Sequence, residues 1–162
     1  MTQEGLERLD AWKRAREFAL EIYRVVIPLM PAEEKYNLTA QLRRAAISVP
    51  ANIAEGYGRY YYLSNVKFCY NARGSLEELI SHLALAHDLG YVNDEIFAAI
   101  MSKANNLVKL INGYIAFLKR EKAGEKETVL AKENRSIYDI GDLDAEEQGS
   151  DISGLSSLDS RF

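Results

Sequence analysis

Apolar residues recur every three or four positions along four stretches of this chain, the spacing of an amphipathic helix. The first runs from about Leu6 to Ile27, with Leu9, Trp12, Ala19, Ile22 and Val26 on one face, and Pro28 and Pro31 close it. A second, from about Leu38 to Glu55, turns Leu38, Leu42, Ala45, Val49 and Ile53 inward and is expected to end at Gly56 and Gly58. The third starts near Ser64, a candidate N-cap, and continues to Leu89; Cys69, Ala72, Leu76, Leu79, Leu83 and Ala86 form its stripe, and Gly90 stops it. The fourth opens on Asn93 as N-cap and carries Ile96, Ile100, Leu107, Ile111, Tyr114 and Leu118 to about Lys122. No stretch alternates with period two, so strands are not expected. Helices of about 20 residues span about 30 Å each. Joined by short loops, they predict an all-α chain: an antiparallel up-down-up-down four-helix bundle over residues 1–122.

The periodicity fades after Gly124. The run "DIGDLDAEEQGSDISGLSSLDS" is acidic, rich in Ser and Gly and poor in large apolar residues, so residues 123–162 are expected to be a disordered acidic tail. Charge divides along the same boundary. Residues 1–122 carry 16 Lys/Arg against 14 Asp/Glu, a net +2, whereas residues 123–162 carry 4 against 10, a net −6. The overall −4 therefore describes the tail and not the helical part, which is mildly basic. Ile137, Tyr138, Ile140, Leu143, Ile152, Leu155 and Leu158 interrupt the tail's acids, a pattern that suits folding onto a basic partner. Cys69 is the single cysteine, which excludes a disulfide framework and points to a small buried side chain. The first 13 residues mix acids and bases without an apolar core, and no run nears the roughly 20 apolar residues of a membrane span. A cytoplasmic protein without a membrane partner is the expectation.

Helical bundles can house di-iron centres, which need two Glu-x-x-His pairs and two further glutamates. Here Glu78 and His82 are four apart, Ile80 occupies the third position after Glu77, and His82 and His87 are five apart and face different ways. Gly56-x-Gly58 closes a helix, whereas a phosphate-binding glycine loop opens one. Ser48 and Ser75 have no histidine close in sequence. No catalytic residue, metal or cofactor is expected, and the chain reads as a non-enzyme.

Polar residues beside the apolar stripes carry more information. Gln41, Arg44, Ser48, Asn52, Glu55 and Arg59 step by three or four along the second helix, and Asn71, Ser75, Glu78 and His82 along the third. Pro50 sits among the first set, although proline inside a helix removes a hydrogen bond and costs roughly 3 kcal/mol. Two readings fit. Either the stripes meet, satisfy one another and give the carbonyl freed by Pro50 a donor, or they form a ligand or partner surface. Arg43, Arg44, Arg59, Lys67 and Arg73 lend the same region a basic bias, with Arg43, Arg59 and Lys67 lying away from the apolar stripes as candidate phosphate contacts. "YGRYYY", Tyr57 to Tyr62, sets an arginine among tyrosines, which suits base stacking and protein interfaces equally.

"LTAQLRRAAISVPANIAEGYGR" (38–59) and "FCYNARGSLEELISHLALAHDLGYV" (68–92) closely resemble the bacterial four-helix-bundle rRNA intervening-sequence proteins, encoded within inserts in large-subunit rRNA genes. "AWKRAREFALEIYRV" (11–25) is similar to that family's opening helix, and the resemblance covers about residues 6–120. The family includes the accessory variability protein of diversity-generating retroelements, a basic pentameric barrel that binds nucleic acid and a reverse transcriptase. The resemblance implies a homo-oligomer, a pentameric ring, with an RNA or DNA surface, and an accessory role beside a reverse transcriptase or other nucleic-acid enzyme. It assigns no catalytic residue. It also makes Arg44, Ser48, Pro50, Asn52, Glu55, Gly56, Arg73, Gly74, Ser75 and Glu78 an architectural signature, with Gly74 the point of close approach between the second and third helices. Tyr60, Tyr61 and Tyr62 stand where many relatives carry Ser and Lys or Arg, and the acidic tail lies beyond the usual family length.

Overall fold

The computed structural model describes residues 3–59 and 61–121, and these residues hold five α-helices, four of them long, and no strand. They are α1 (Gln3–Arg8), α2 (Asp10–Glu21), α3 (Leu38–Tyr57), α4 (Tyr62–Asp88) and α5 (Asp94–Glu121). The predicted acidic tail falls outside the described residues.

The expected first helix is interrupted at both ends. Leu9 is extended, with ψ 109°, and separates α1 from α2. Beyond Glu21 the chain widens into a π turn over Ile22–Val26, in which Ile27 N–H donates to the Ile22 carbonyl, and then tightens to a 3₁₀ turn over Ile27–Leu29. Pro28 has no N–H to offer the Arg24 carbonyl, and the β-branched run Val25-Val26-Ile27 is a poor helix former. The regular ladder therefore fails there, yet Ile22 and Val26 stay fully buried. A second 3₁₀ turn, Ala32–Tyr36, leads into α3, where the Glu34 carboxylate accepts the otherwise free Leu38 N–H at 3.1 Å. An acid at a helix N-terminus also complements the helix dipole.

Two terminus assignments read from sequence need correction. Ser64 lies inside α4, which begins at Tyr62 without a side-chain cap. Gly56 lies within α3 and is buried, so it does not end the helix. Two others stand. Asn93 Oδ1 accepts the Ile96 N–H at 2.9 Å, and Gly90, at φ +76°, takes the left-handed conformation that ends α4. There Gly90 N–H donates to His87 and Tyr91 N–H to Ala86, the paired bonds of a Schellman end.

α2 packs on α3, α3 on α4, α4 on α5, and α5 back on α2. One continuous core results, centred on Ile22, Leu42, Ile53, Leu76, Leu79, Leu83, Ile100 and Ile111. Of the stripe residues read from sequence, Leu9, Trp12, Ile96 and Tyr114 are only half-buried and pack at its margin. Cys69 is fully buried, and burial pushes its thiol up to about 12.

α3 and α4 form the most extensive pair, and they run antiparallel: Arg44 meets Glu78, Ser48 meets Ser75, and Gly56 meets Asn65. The two polar stripes do meet along this seam. Arg44 reaches both Gln41 and Glu78, the Ser48 and Ser75 hydroxyls lie 2.8 Å apart, and the Asn52 amide donates to the Ser48 carbonyl at 2.9 Å and its hydroxyl at 3.0 Å. The amide thus serves the Ser48 carbonyl and not that of Ala46, which is the one Pro50 leaves without its N–H partner. α3 nonetheless runs unbroken through Pro50. Glu55 and Asn71 stay out of the seam: both are exposed, and Glu55 turns back to Arg59 within its own stretch of chain. His82 Nε2 comes within 3.5 Å of the Glu78 carboxylate but lacks hydrogen-bond geometry.

Close approach occurs at Gly56, not at Gly74. A methyl group on Gly56 would stand 2.8 Å from Asn65 Oδ1, 2.9 Å from Phe68 Cβ and 3.0 Å from the Asn65 carbonyl oxygen. A methyl on Gly74 would meet nothing within 4 Å. Gly56→Ala should therefore destabilise by about 1–3 kcal/mol through overpacking, while Gly74→Ala should stabilise by up to about 1 kcal/mol through helix propensity. Urea denaturation of the two variants beside the parent chain measures both signs. The seam makes a second contrast. Asn52→Leu removes two hydrogen bonds from a half-buried position and should cost about 1–2 kcal/mol, whereas exposed Glu55→Leu should stay within about 0.5 kcal/mol; thermal melts of both report the difference.

Candidate nucleic-acid interface

Charge is distributed unevenly over α3, α4 and α5. No Asp or Glu occurs from Gly56 to Leu76, a stretch holding Arg59, Lys67 and Arg73, nor from Ile96 to Arg120, a stretch holding Lys103, Lys109, Lys119 and Arg120. The tight turn between α4 and α5 is acidic instead, with Asp88, Asp94 and Glu95; there His87 stacks on Phe97 at 4.2 Å and contacts Asp94 at 2.8 Å. Because α4 and α5 form a helical hairpin, the beginning of α4 and the end of α5 come together at the basic end.

Aromatic rings hold many of these cations. The Arg59 guanidinium lies 5.0 Å over Phe68, Arg73 lies 4.9 Å over Tyr70, and the Lys119 ammonium lies 5.8 Å over the same Tyr70. On the side of α5 nearer its terminus, Arg120 sits 5.7 Å over Phe117. Such pairs are worth about 0.5–1 kcal/mol at exposed sites. Arg73 also donates to the Asn112 side chain at 3.0 Å, tying α4 to α5 at this surface. Further in, Asn65 is a buried polar hub. Its amide donates to the Tyr114 hydroxyl at 3.2 Å, the Cys69 thiol donates weakly to its oxygen at 3.5 Å, and Gly56 packs against it. Burial raises the Tyr114 phenol above its ordinary value, and the Asn65 hydrogen bond opposes that shift.

The three candidate phosphate contacts are not brought together. Lys67 is exposed on the first turns of α4 and makes no ion pair or hydrogen bond among the described residues. Arg59 is close to it in the fold through Phe68, but its charge is shared with Glu55 at 2.5 Å. Arg43 is half-buried near the opposite end of α3, 14 residues before Tyr57, which separates it by about 21 Å of helix. The tyrosine-rich turn also divides: Tyr62 is buried in the core, Tyr57 is half-buried, Tyr61 is exposed, and Tyr60 lies outside the described residues. Arg44 and Glu78, Ser48 and Ser75, and Asn52 are occupied with one another in the seam.

Sequence reasoning passed over Phe68, Tyr70 and Lys119. The two acid-free runs were the available signal, together with Tyr70 and Arg73 at a spacing of three on one helix. A groove between α2 and α5 of about 510 Å³ is chemically different. Phe18, Leu107 and Leu110 line it, and its cations Arg14 and Lys103 are already paired with Glu17 and Glu21.

Comparisons with known proteins agree with the helical architecture. The chain is similar to a crystal structure of a protein of unknown function from the S23 ribosomal protein family of Bacteroides thetaiotaomicron, with a TM-score of 0.61 and 21% identity, over 65% of this chain and 95% of that one. None of the curated proteins matches the chain. The model of the family described as 23S rRNA-intervening sequence protein matches residues 7–113, from α1 through most of α5. That match takes in the Pro50 seam, the Gly56 contact and most of the basic end, and this chain belongs to the 23S rRNA-intervening sequence protein family.

Proposed function

We propose that this chain is a non-enzymatic accessory protein that binds structured RNA or DNA, built as an antiparallel up-down-up-down four-helix bundle that assembles into a ring of like subunits. The observation that carries the reading is the aromatic-backed basic end of α4 and α5, where Lys67 and Arg73 lie in a run of sequence without a carboxylate and Lys119 shares the Tyr70 ring with Arg73. A surface of this composition attracts phosphates whatever their sequence, by releasing counterions from the nucleic acid. The family's name points to genes lodged within rRNA genes, which agrees with an RNA-linked setting. A reverse transcriptase or another nucleic-acid enzyme is the partner that such an accessory would serve.

A second reading, a protein-interaction scaffold that does not touch nucleic acid, draws on Ile47, Leu85, Leu89 and Phe117, each 47–55% exposed.

Affinity for RNA and DNA should fall steeply with salt and depend weakly on sequence. A double Arg59→Glu, Lys67→Glu variant should bind at least tenfold more weakly than the parent chain and flatten the log–log salt slope by about 0.7–0.9 per lost phosphate contact. Arg43→Glu, remote from that surface, should change little. Filter binding across a salt series measures all three, and absence of binding by the parent chain at low salt would select the scaffold reading. Ring assembly has its own test: light scattering at micromolar concentration should give roughly five chain masses, and a monomer mass at every concentration would reject it.

A further inference from the structure

We infer that the basic end is a stacking site for unpaired bases, so that its target is single-stranded nucleic acid, such as the loops and junctions of a structured RNA. This rests on the nucleic-acid reading above and narrows it to one class of ligand.

Phosphate attraction alone needs only lysines and arginines on a surface. Here two arginines are held by rings on either flank of α4: Arg59 over Phe68 on the side of α3, where Glu55 also holds it, and Arg73 over Tyr70 on the side of α5, where its guanidinium also donates to Asn112. A ring beneath a guanidinium restrains it, and the planar group above presents a face on which a nucleobase stacks. Exposed Lys67 and Asn71, one turn apart on α4, lie between the two platforms, with Lys119 beside the second. The platforms are separated by about the width of a helix, roughly 10–12 Å. A strand crossing α4 would thus stack one base at each flank and pass its backbone over Lys67. A duplex offers this site little beyond phosphates, because its base faces are buried in the stack and the major groove of A-form RNA is too narrow for side chains. Gly74, three residues beyond Asn71, leaves open space there, since a side chain on it would meet nothing within 4 Å.

Fluorescence anisotropy with the full chain tests the inference, using a labelled, unstructured RNA strand and the same strand annealed to its complement, both at low salt. The single strand should bind about tenfold tighter than the duplex, in line with base–aromatic stacking. Phe68→Leu and Tyr70→Leu should each weaken single-strand binding by about tenfold and leave duplex binding nearly unchanged, whereas Lys67→Gln should weaken both. Phe68 packs against Gly56, so Arg59→Lys and Arg73→Lys, which keep the charge and lose the planar face, provide a second pair that spares this contact. They should reproduce the selective loss. Equal or tighter duplex binding, or lysine variants that hold the single strand as well as the parent chain, would overturn the stacking site while leaving nucleic-acid binding intact. Failure of the parent chain to bind either probe would overturn the broader reading.

Discussion

The close approach of α3 and α4 at Gly56 is the contact on which the rest of the arrangement depends. With no side chain on Gly56, Asn65 and Phe68 of α4 can press directly against the backbone of α3. That position fixes the antiparallel register. Eight residues toward the start of α3, Ser48 comes opposite Ser75, and four further back Arg44 comes opposite Glu78. The same contact seats Phe68 where Arg59, just past the end of α3, can lie over its ring. Asn65, trapped between Gly56 and Tyr114, carries the constraint on to α5. A single missing methyl group thus links the polar seam, the buried hub and the basic end.

The seam and the basic end use polar groups in opposite ways. Along the seam, Arg44 meets Glu78 and the serines meet each other, so hydrogen-bonding capacity is spent inside the protein and helps specify which faces of α3 and α4 adjoin. At the basic end Arg59, Arg73 and Lys119 lie over rings, and a ring restrains a cation without cancelling its charge. Arg59 and Arg120 are also paired with carboxylates, those of Glu55 and Glu121. Positive charge in the last turn of α5 also complements that helix's dipole, so Lys119 and Arg120 stabilise the fold whether or not a ligand is present. Asp88, Asp94 and Glu95 gather at the far turn between α4 and α5, and this bias gives the helical hairpin a direction for any anionic partner.

Pro50 poses a question of energy more than of chemistry. Its ring lies two residues beyond Ser48, on the opposite flank of α3 from the seam, and α3 continues through it without a break. The Asn52 amide stiffens the helix across this point by bonding to Ser48, while Ala45, Ala46, Val49 and Ile53 around it are buried in the core. Packing on several sides offsets a lost hydrogen bond that would bend an isolated helix. The groups beside Pro50 hold one another in place, Asn52 with Ser48 and Ser48 with Ser75.

Periodicity determined the helical class and the inward faces of the long helices, and cap residues the Asn93 and Gly90 ends, because each depends on residues within a few positions of one another. It also showed that polar stripes flank the second and third helices. Tertiary structure decided which partners those stripes take: Ser48 with Ser75 but Glu55 with Arg59, a choice set by the rotation and register of two packed helices. It likewise moved the close approach from Gly74 to Gly56, since glycine in a sequence signals only freedom, and the neighbouring helix decides where that freedom is needed. Arg43, Arg59 and Lys67 looked equivalent when judged by distance from an apolar stripe. Only the fold separates Arg43 from the other two and brings Lys119 of α5 over Tyr70 of α4, because contacts between helices depend on chain segments far apart in sequence.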